Sequence, residues 1–390
     1  MEYFDVSVLA RKSIMKITHV IIGLDVGGAE LMLKRLVESH QSNMNITHSI
    51  ISLTSVGVIG ADLKKQGVEV HALGFSSLIK LPLLFLRLRS ILEKSKPDVV
   101  HTWMYHADFL GGLAAYTLGI RNIVWGIRST DISKGGSKVT LWIRRFCAYI
   151  SWVVPRKILC AATVSRDVHV QVGYDPSKMK IIPNGFNVER FMGNKLSGEM
   201  LRKKLGIDAG DTVFVSVGRY NPVKNHTSFV NAACLVLKNQ PNTKFILVGR
   251  GVTETNRSLS SIIDKHNVKR AFYFLGERSD VPVCLAAADV FCLHSLTEGF
   301  PNVLGEAMLS GLSCITTDVG DSAYLLNNSD LTVCPGDTNA LAAAMNRVIL
   351  LSKKEREGIG KENCARIKDN FSMGVVSSEY FNLYDSLSNS

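Results

Sequence analysis

Two carboxylates separated by seven residues, Glu298 and Glu306, frame a single helix start in this chain. Glu298 lies in the polar turn Ser295 to Gly299, which follows a short apolar run of strand type, Asp289 to Leu293. Pro301 sits where a first helical residue is tolerated, because its missing N–H has no intrahelical partner there. The helix then runs through Glu306, Ala307, Met308 and Leu309 and stops near Gly311. At such a start the backbone N–H groups of Asn302, Val303 and Leu304 are free, and they and the helix dipole together favour an anion. A carboxylate on either side suits a ligand with an anionic middle and hydroxyls at both ends, which is the shape of a nucleotide sugar. Taken singly, Glu298 reads equally as a solvated loop residue and Glu306 as one that favours the dipole.

Three further groups have residue types suited to the same ligand. A buried strand, Val213 to Val217, delivers Gly218 and Arg219 into a loop, with Lys224 five positions on. Arginine as a fork and lysine as a point charge neutralise a diphosphate, although two loop cations are also a common solvated arrangement. Near the start, the strand Lys16 to Gly23 leads into Gly27 and Gly28 and then a helix. A glycine pair lets backbone approach a ligand closely, but the full GxGxxG pattern is missing, which argues against a dinucleotide site. The third is His106, expected in the loop between a strand ending at His101 to Trp103 and a helix from about Asp108. Open α/β sheets bind ligands at that end of a strand, with His101 the competing histidine. No Asp-x-Asp pair occurs, so no metal and no other cofactor is expected.

The elements that hold these residues alternate. Strands are expected at Ile46 to Leu53 and Val68 to Leu73 with a helix near Ile59 to Gln66, and again at Phe245 to Gly251 and from Phe272. Alternation of this kind gives parallel sheets with crossover helices, so the fold class is α/β. At 390 residues the chain suits two domains. Its 46% hydrophobic and 20% charged residues make it globular. The eight cysteines form no CxxC pair and mostly lie in apolar runs, as small buried hydrophobes in a reducing compartment do. Residues 1–14 read as an extension before the first strand, without a signal-peptide cleavage site, and no apolar run is long enough to span a bilayer. A cytoplasmic location is expected.

The net charge of +11 is unevenly placed: residues 1–187 hold 23 Lys and Arg against 13 Asp and Glu, whereas 188–390 hold 22 against 21. Between Asp131 and Asp167 stand seven basic residues, among them Lys134, Arg144 and Arg145, and no acid. They are interleaved with Trp142, Phe146, Tyr149 and Trp152, a pattern expected of a surface for something anionic and partly apolar. Leu78 to Leu92 is apolar with Lys80, Arg87 and Arg89 interspersed, and reads as a core helix or as one lying on a membrane.

Two glutamates in the spacing of Glu298 and Glu306, with Gly299, Phe300 and Pro301 after the first, resemble the signature of glycosyltransferase family 4, a retaining family of GT-B fold. Gly27 and Gly28, the junction Pro183, Asn184 and Gly185, and Arg219 with Lys224 occur in the family's order. The resemblance implies two Rossmann-like domains facing each other across a cleft. Residues 1–187 would bind the acceptor and 188–370 the nucleotide-sugar donor, with a last helix over about 371–390 packing back on the first domain. It implies that Glu298 holds sugar hydroxyls, Glu306 the ribose, and Arg219 and Lys224 the leaving diphosphate. His106 would reach donor or acceptor, and backbone near Arg278 to Val281 would meet the base. The implied reaction moves a hexose or N-acetylhexosamine, with UDP as the expected carrier, to a lipid-linked or saccharide acceptor of a surface polysaccharide. A peripheral contact with the inner face of an anionic membrane is expected, and no nucleic-acid partner. An epimerase or hydrolase on the same fold, or a non-catalytic sugar-nucleotide or lipid-binding subunit, is the alternative.

Overall fold

The computed structural model describes residues 14–75, 77–130 and 137–389; the expected extension before residue 14 and Lys134 of the basic stretch lie outside the described residues. The chain forms two compact units. One holds the described residues up to Ala161, Ser165–Ile182 and those from Ser377 on; the other holds Ala162–Val164 and Pro183–Val376.

The first unit alternates strand and helix throughout: β1 (Met15–Ile21), α1 (Gly28–His40), β2 (Ile46–Ser52), α2 (Gly57–Lys65), β3 (Glu69–Ala72), α3 (Leu81–Ser95), β4 (Val99–Trp103), α4 (Tyr105–Thr117), β5 (Ile123–Ile127), α5 (Lys138–Ile150), β6 (Lys157–Cys160), α6 (Thr163–Val172) and β7 (Met179–Ile181). Its strands form one parallel sheet in the order β3-β2-β1-β4-β5-β6-β7. Central strands of such a sheet are covered on both faces and so lose the two-residue alternation. Every residue of β4 and β5 is buried.

The second unit repeats the plan with α7 (Val188–Phe191), α8 (Lys195–Leu205), β8 (Thr212–Val217), α9 (His226–Leu237), β9 (Thr243–Val248), α10 (Arg257–Lys265), β10 (Phe272–Gly276), α11 (Val281–Ala286), β11 (Val290–Leu293), α12 (Asn302–Leu309), β12 (Ser313–Thr317), α13 (Ser322–Leu326), β13 (Thr332–Val333), α14 (Thr338–Leu350) and α15 (Lys353–Phe371). Its parallel sheet runs β10-β9-β8-β11-β12-β13. The last helix, α16 (Met373–Ser388), begins in this unit and from Ser377 belongs to the first. The units divide at 182/183, ahead of 187/188, because Pro183 to Asn187 pack with the second unit. Phe186 is buried there beside Phe300, its N–H bonds to the Phe371 carbonyl at 2.9 Å, and its own carbonyl accepts from Met373 N–H at 2.8 Å. Gly305 makes room for it, since a Cβ at that position would lie 2.2 Å from the Phe186 ring.

Two local details differ from the sequence expectation. Pro301 is the residue before α12 and not its first member. Helix α4 starts at Tyr105 and not near Asp108, so His106 lies in a helical first turn instead of a loop. The buried Asp108 carboxylate then accepts the Thr102 hydroxyl at 2.6 Å.

A chain of imidazoles crosses the first unit. The Trp103 indole N–H donates to His19 Nδ1 at 3.1 Å, and His19 Nε2 meets His48 Nδ1 at 2.9 Å. His48 Nε2 meets His40 Nδ1 at 3.0 Å, and His40 Nε2 ends the chain on the Ser377 carbonyl at 3.1 Å. An indole only donates and a carbonyl only accepts, so each of the three rings carries its proton on Nε2 and is neutral. The run ties β1, β2, β4 and α1 to α16. Desolvation, and then neighbouring imidazoles, holds His48 at about 3 and keeps His19 well below the usual value of 6.5. The unfolded chain therefore binds more protons than the folded one between those limits. The stabilisation is complete above the unfolded value and declines as pH falls toward the folded one. His48→Leu strips His40 of a donor and His19 of an acceptor, at a cost of about 2–4 kcal/mol at pH 7.5. It also flattens the fall of Tm between pH 7.5 and 5, which thermal unfolding of both proteins measures; parallel Tm–pH curves would contradict this account.

Candidate active site

Strand order decides where the candidate side chains meet. In the second unit the chain runs outward from β8 to β10, then returns to place β11 on the other side of β8. The loops that leave β8 and β11 thus diverge from adjacent strand ends, and this reversal is where open α/β sheets bind ligands. The loop after β8 carries Gly218, Arg219 and, in a 3-10 turn, Lys224. The loop after β11 carries His294, Ser295, Glu298, Gly299 and Phe300 into α12.

Hydrogen bonds stitch the two loops together. Leu296 N–H donates to the Val223 carbonyl at 2.7 Å, and His294 Nδ1–H donates to the Lys224 carbonyl at 2.5 Å. The other ring nitrogen of His294 accepts from the Ser216 hydroxyl at 2.6 Å. A carbonyl can only accept, so the proton is on Nδ1. Burial holds His294 at about 3 and its ring neighbour His226 at about 4, so both are neutral at pH 7. The cations of the site are therefore the exposed Arg219 and the half-buried Lys224.

Lys224 Nζ lies 2.5 Å from Glu298 Oε1, and the Ser295 hydroxyl donates to the same oxygen at 2.6 Å. An ammonium has three donors, so Lys224 can keep this contact and still offer two to a phosphate. The loop after β12 supports the turn from beneath. Asp321 N–H donates to the Gly299 carbonyl at 2.9 Å, and Gly320, at φ +57°, lies so close that a Cβ would be 2.3 Å from that carbonyl oxygen. The Asp321 carboxylate in turn accepts from Thr163 N–H at 2.9 Å.

Helix α12 has no side-chain cap, so its first N–H groups stay available at Asn302 and Val303. Glu306 is half-buried one turn in. The Asn302 side-chain oxygen accepts from Asn184 Nδ2 at 2.9 Å. Phe300 differs from the expectation of a ligand contact: its ring is buried between Phe186 and Phe371, which leaves only its backbone to face a ligand. Arg278 lies after β10 and forms a two-pronged pair with Asp280, at 2.7 and 2.6 Å. Its guanidinium is thus engaged locally, and β10 stands two strands from β8.

The first unit has the same reversal, between β1 and β4. Gly27 and Gly28 follow β1 and His106 follows β4, so both fall at the switch point. A Cβ at Gly28 would meet nothing within 4 Å. Between β4 and α4, Met104 holds φ 71° and ψ 158°, a conformation that side chains rarely adopt and that costs about 1–3 kcal/mol. Bonds from Met104 N–H to the Gly126 carbonyl and from Asp108 N–H to the Met104 carbonyl, both 2.9 Å, hold it there. The strained turn sets the position of His106, which is half-buried and whose pKa burial lowers. His101 lies inside β4, fully buried, with Nδ1 2.7 Å from the Tyr384 hydroxyl, so it is part of the core.

Sequence reasoning missed His294, Ser216, Gly320 and Asp321. The pair Gly320 and Asp321 follows the strand Cys314 to Thr317 after two intervening residues, a signal similar to the one used for Gly218 and Arg219. Nothing in the spacing links Ser216 to His294.

Residues 198–365 match the family model described as Glycosyl transferases group 1, and residues 26–190 match that described as Glycosyltransferase Family 4. The UDP-Gal:alpha-D-GlcNAc-diphosphoundecaprenol alpha-1,3-galactosyltransferase of Escherichia coli is 29% identical over 74% of this chain and 75% of its own length. The phosphatidylinositol N-acetylglucosaminyltransferase GPI3 subunit of Saccharomyces cerevisiae is 25% identical over 83% of this chain and 72% of its own. Among solved structures, Anabaena Alr3699/HepE in complex with UDP superposes with a TM-score of 0.81 over 95% of this chain and 100% of that one, at 21% identity.

The two glycine positions give opposite expectations. Gly320→Ala forces a left-handed alanine into the Gly299 carbonyl and lowers Tm by about 5 °C or more. Gly28→Ala adds a methyl to open space and changes Tm by less than about 2 °C. Differential scanning calorimetry separates them; equal shifts would show that the packing at one of them is misread.

Proposed function

Because the chain belongs to glycosyltransferase family 4 and is a glycosyltransferase of GT-B fold, we propose that it is a retaining, metal-independent enzyme. It moves a hexose or N-acetylhexosamine from a UDP-sugar to a lipid-linked or saccharide acceptor in surface polysaccharide synthesis. The observation that carries this reading is the pairing of Lys224 with Glu298 at the β8/β11 reversal, beside Arg219. One cation touches one carboxylate, and each is suited to a different half of a nucleotide sugar. The relatives' names support the nucleotide and the acceptor class, since the bacterial relative is named for a UDP-galactose donor and a diphosphoundecaprenol-linked acceptor.

In this reading Arg219, Lys224 and the first N–H groups of α12 bind the diphosphate. Glu298 accepts from sugar hydroxyls, and Glu306 accepts from ribose. Gly27 and Gly28 contact the donor, and His106 reaches donor or acceptor. The bond from the anomeric carbon to the diphosphate oxygen breaks, and the acceptor oxygen bonds to the same face. The departing diphosphate oxygen takes the acceptor's proton, so the configuration is kept and no protein base is consumed. The negative charge that grows on the diphosphate is met by fixed cations and backbone dipoles, which stabilise a transition state without a metal. The acceptor's lipid brings the enzyme to the inner face of an anionic membrane as a peripheral protein. Among the described residues no helix is long and apolar enough to cross a membrane.

Arg219→Ala and Lys224→Ala each lower kcat by about 30- to 1,000-fold, or about 2–4 kcal/mol of transition-state stabilisation, in assays run with EDTA. Tm moves little for Arg219→Ala, whose side chain is exposed, and falls further for Lys224→Ala, which leaves the largely buried Glu298 carboxylate without its ammonium partner. Wild-type turnover in either variant, or loss of wild-type activity in EDTA, would refute the assignment. The two glutamates fail differently. Glu306→Gln weakens UDP and UDP-sugar alike, whereas Glu298→Gln relieves Lys224 of its carboxylate partner, leaves UDP binding equal or tighter, and damages only sugar-dependent steps. Calorimetry with free UDP against both variants decides this, and equal losses would mean that the division of roles is wrong.

A further inference from the structure

Helix α5 has a buried side and, opposite it, an exposed apolar one. Its inner side buries Arg144, Cys147 and Ala148. That burial removes Arg144 from the basic surface expected of this stretch, and leaves Lys138 and Arg145 as the exposed cations of the helix. On the outer side stand Val139, Trp142, Phe146 and Tyr149, continued by Val153 after the helix; Trp142 is 70% and Tyr149 is 78% exposed. At 3.6 residues per turn the four helical positions fall within an arc of about 80°. Single exposed apolar residues are ordinary, but a continuous ridge marks a contact surface.

The ridge is held in place before anything binds. Phe146 meets Phe109 of α4 edge-on at 5.3 Å, the Arg145 guanidinium lies 5.9 Å from the Trp142 ring, and the Trp152 indole donates to the Gly173 carbonyl at 3.2 Å. From Ser137 to Arg166 there is no acidic residue. Helices α3, α4 and α5 are successive crossovers toward one edge of the sheet, which right-handed connections place on one face, and α4 packs against both of the others. On α3 the buried Leu84, Leu88 and Leu92 oppose a second exposed pair, Leu83 and Leu86, beside Arg87, and the 3-10 turn just before the helix adds the exposed Ile79 and Lys80. The segment is thus both a core helix and an outward apolar surface.

We infer that the outer ridge of α5 is the element that seats the enzyme on an anionic bilayer, with α3 beside it. This rests on the lipid-borne acceptor proposed above for its purpose, though not for its geometry. The occupant is a bilayer because cations without acids complement anionic headgroups, while tryptophan and tyrosine with an apolar body and a polar tip suit the headgroup boundary. A helix of this length lies in the plane of the interface and does not span it. The Tyr105 carbonyl, in the first turn of α4 beside His106, accepts from Cys147 Sγ of α5 at 3.6 Å, so the helix that carries the ridge touches the turn that carries His106.

The test is co-sedimentation with phosphatidylcholine vesicles and with phosphatidylcholine–phosphatidylglycerol vesicles, in 50 and 500 mM NaCl. Wild type binds the anionic vesicles and keeps a salt-resistant fraction. The triple variant Trp142→Ser, Phe146→Ser, Tyr149→Ser loses that fraction at least tenfold. Lys138→Glu with Arg145→Glu loses the low-salt gain and keeps the rest. Both variants retain wild-type Tm and the slow release of UDP from a UDP-sugar in the absence of acceptor, because the ridge lies outside the donor site. Absent UDP release with intact vesicle binding would count against the donor reading alone. Wild type that ignores anionic vesicles at 50 mM NaCl, or a triple variant that binds as wild type does, overturns the seat. So does a wild-type dimer in analytical ultracentrifugation that the triple variant turns into a monomer, since the ridge would then join two copies of the chain.

Discussion

Each sheet reverses its direction of growth once, and the placement of the candidate site side chains depends on that reversal. Right-handed crossovers carry the chain from β1 to β3 on one side and from β4 to β7 on the other, then repeat the plan from β8 to β10 and from β11 to β13. Loops that leave neighbouring strands at the reversal must part, because their helices go to opposite faces of the sheet. The opening lies at the carboxyl ends of β1 and β4 in one unit and of β8 and β11 in the other. Gly27, Gly28 and His106 belong to the first opening; Arg219, Lys224 and Glu298 belong to the second.

Electrostatics at the second opening rests on which groups are kept neutral. His226 and His294 lie beneath the cationic loop, and a charge on either would compete with Lys224 for any anion and repel it. Desolvation suppresses that charge, and the neutral His294 ring becomes a rigid two-ended spacer between Ser216 and the Lys224 carbonyl. Arg219 and Lys224 thus carry positive charge that the two rings do not, near the start of α12 and its dipole. Glu298 keeps the Lys224 side chain oriented, which lowers the side-chain entropy that the proposed diphosphate contact would cost.

The first unit uses neutral histidines differently. His19, His48 and His40 satisfy one another in the core, and the chain they form ends on α16. A buried polar run of this kind stabilises only while every member keeps its partner, so it fastens the last helix to one register against the sheet. Met104 is the strained counterpart. Its unusual backbone is tolerated because two main-chain hydrogen bonds and the buried Tyr105 and Asp108 leave no relaxed alternative, and the turn that carries His106 follows from it.

The strands, their parallel pairing and the two-domain plan were legible in the sequence, because buried runs, glycine turns and helix periodicity are local patterns. So were the positions of Glu298, Glu306, Arg219 and Lys224, since each stands just past a strand or inside a helix start. What the sequence could not contain is distance across the sheet. Lys224 and Glu298 are 74 positions apart, and only the adjacency of β8 and β11 brings them to 2.5 Å. Phe300 shares a motif with Glu298, yet its ring turns into the core because Gly305 leaves room for Phe186 beside it. Arg144 looks like its neighbour Arg145 in composition, and the rotation of α5 about its axis buries one and exposes the other. Residue type and local period determined which groups are present; strand order and helix rotation, which are set by packing many residues away, decided which of them meet.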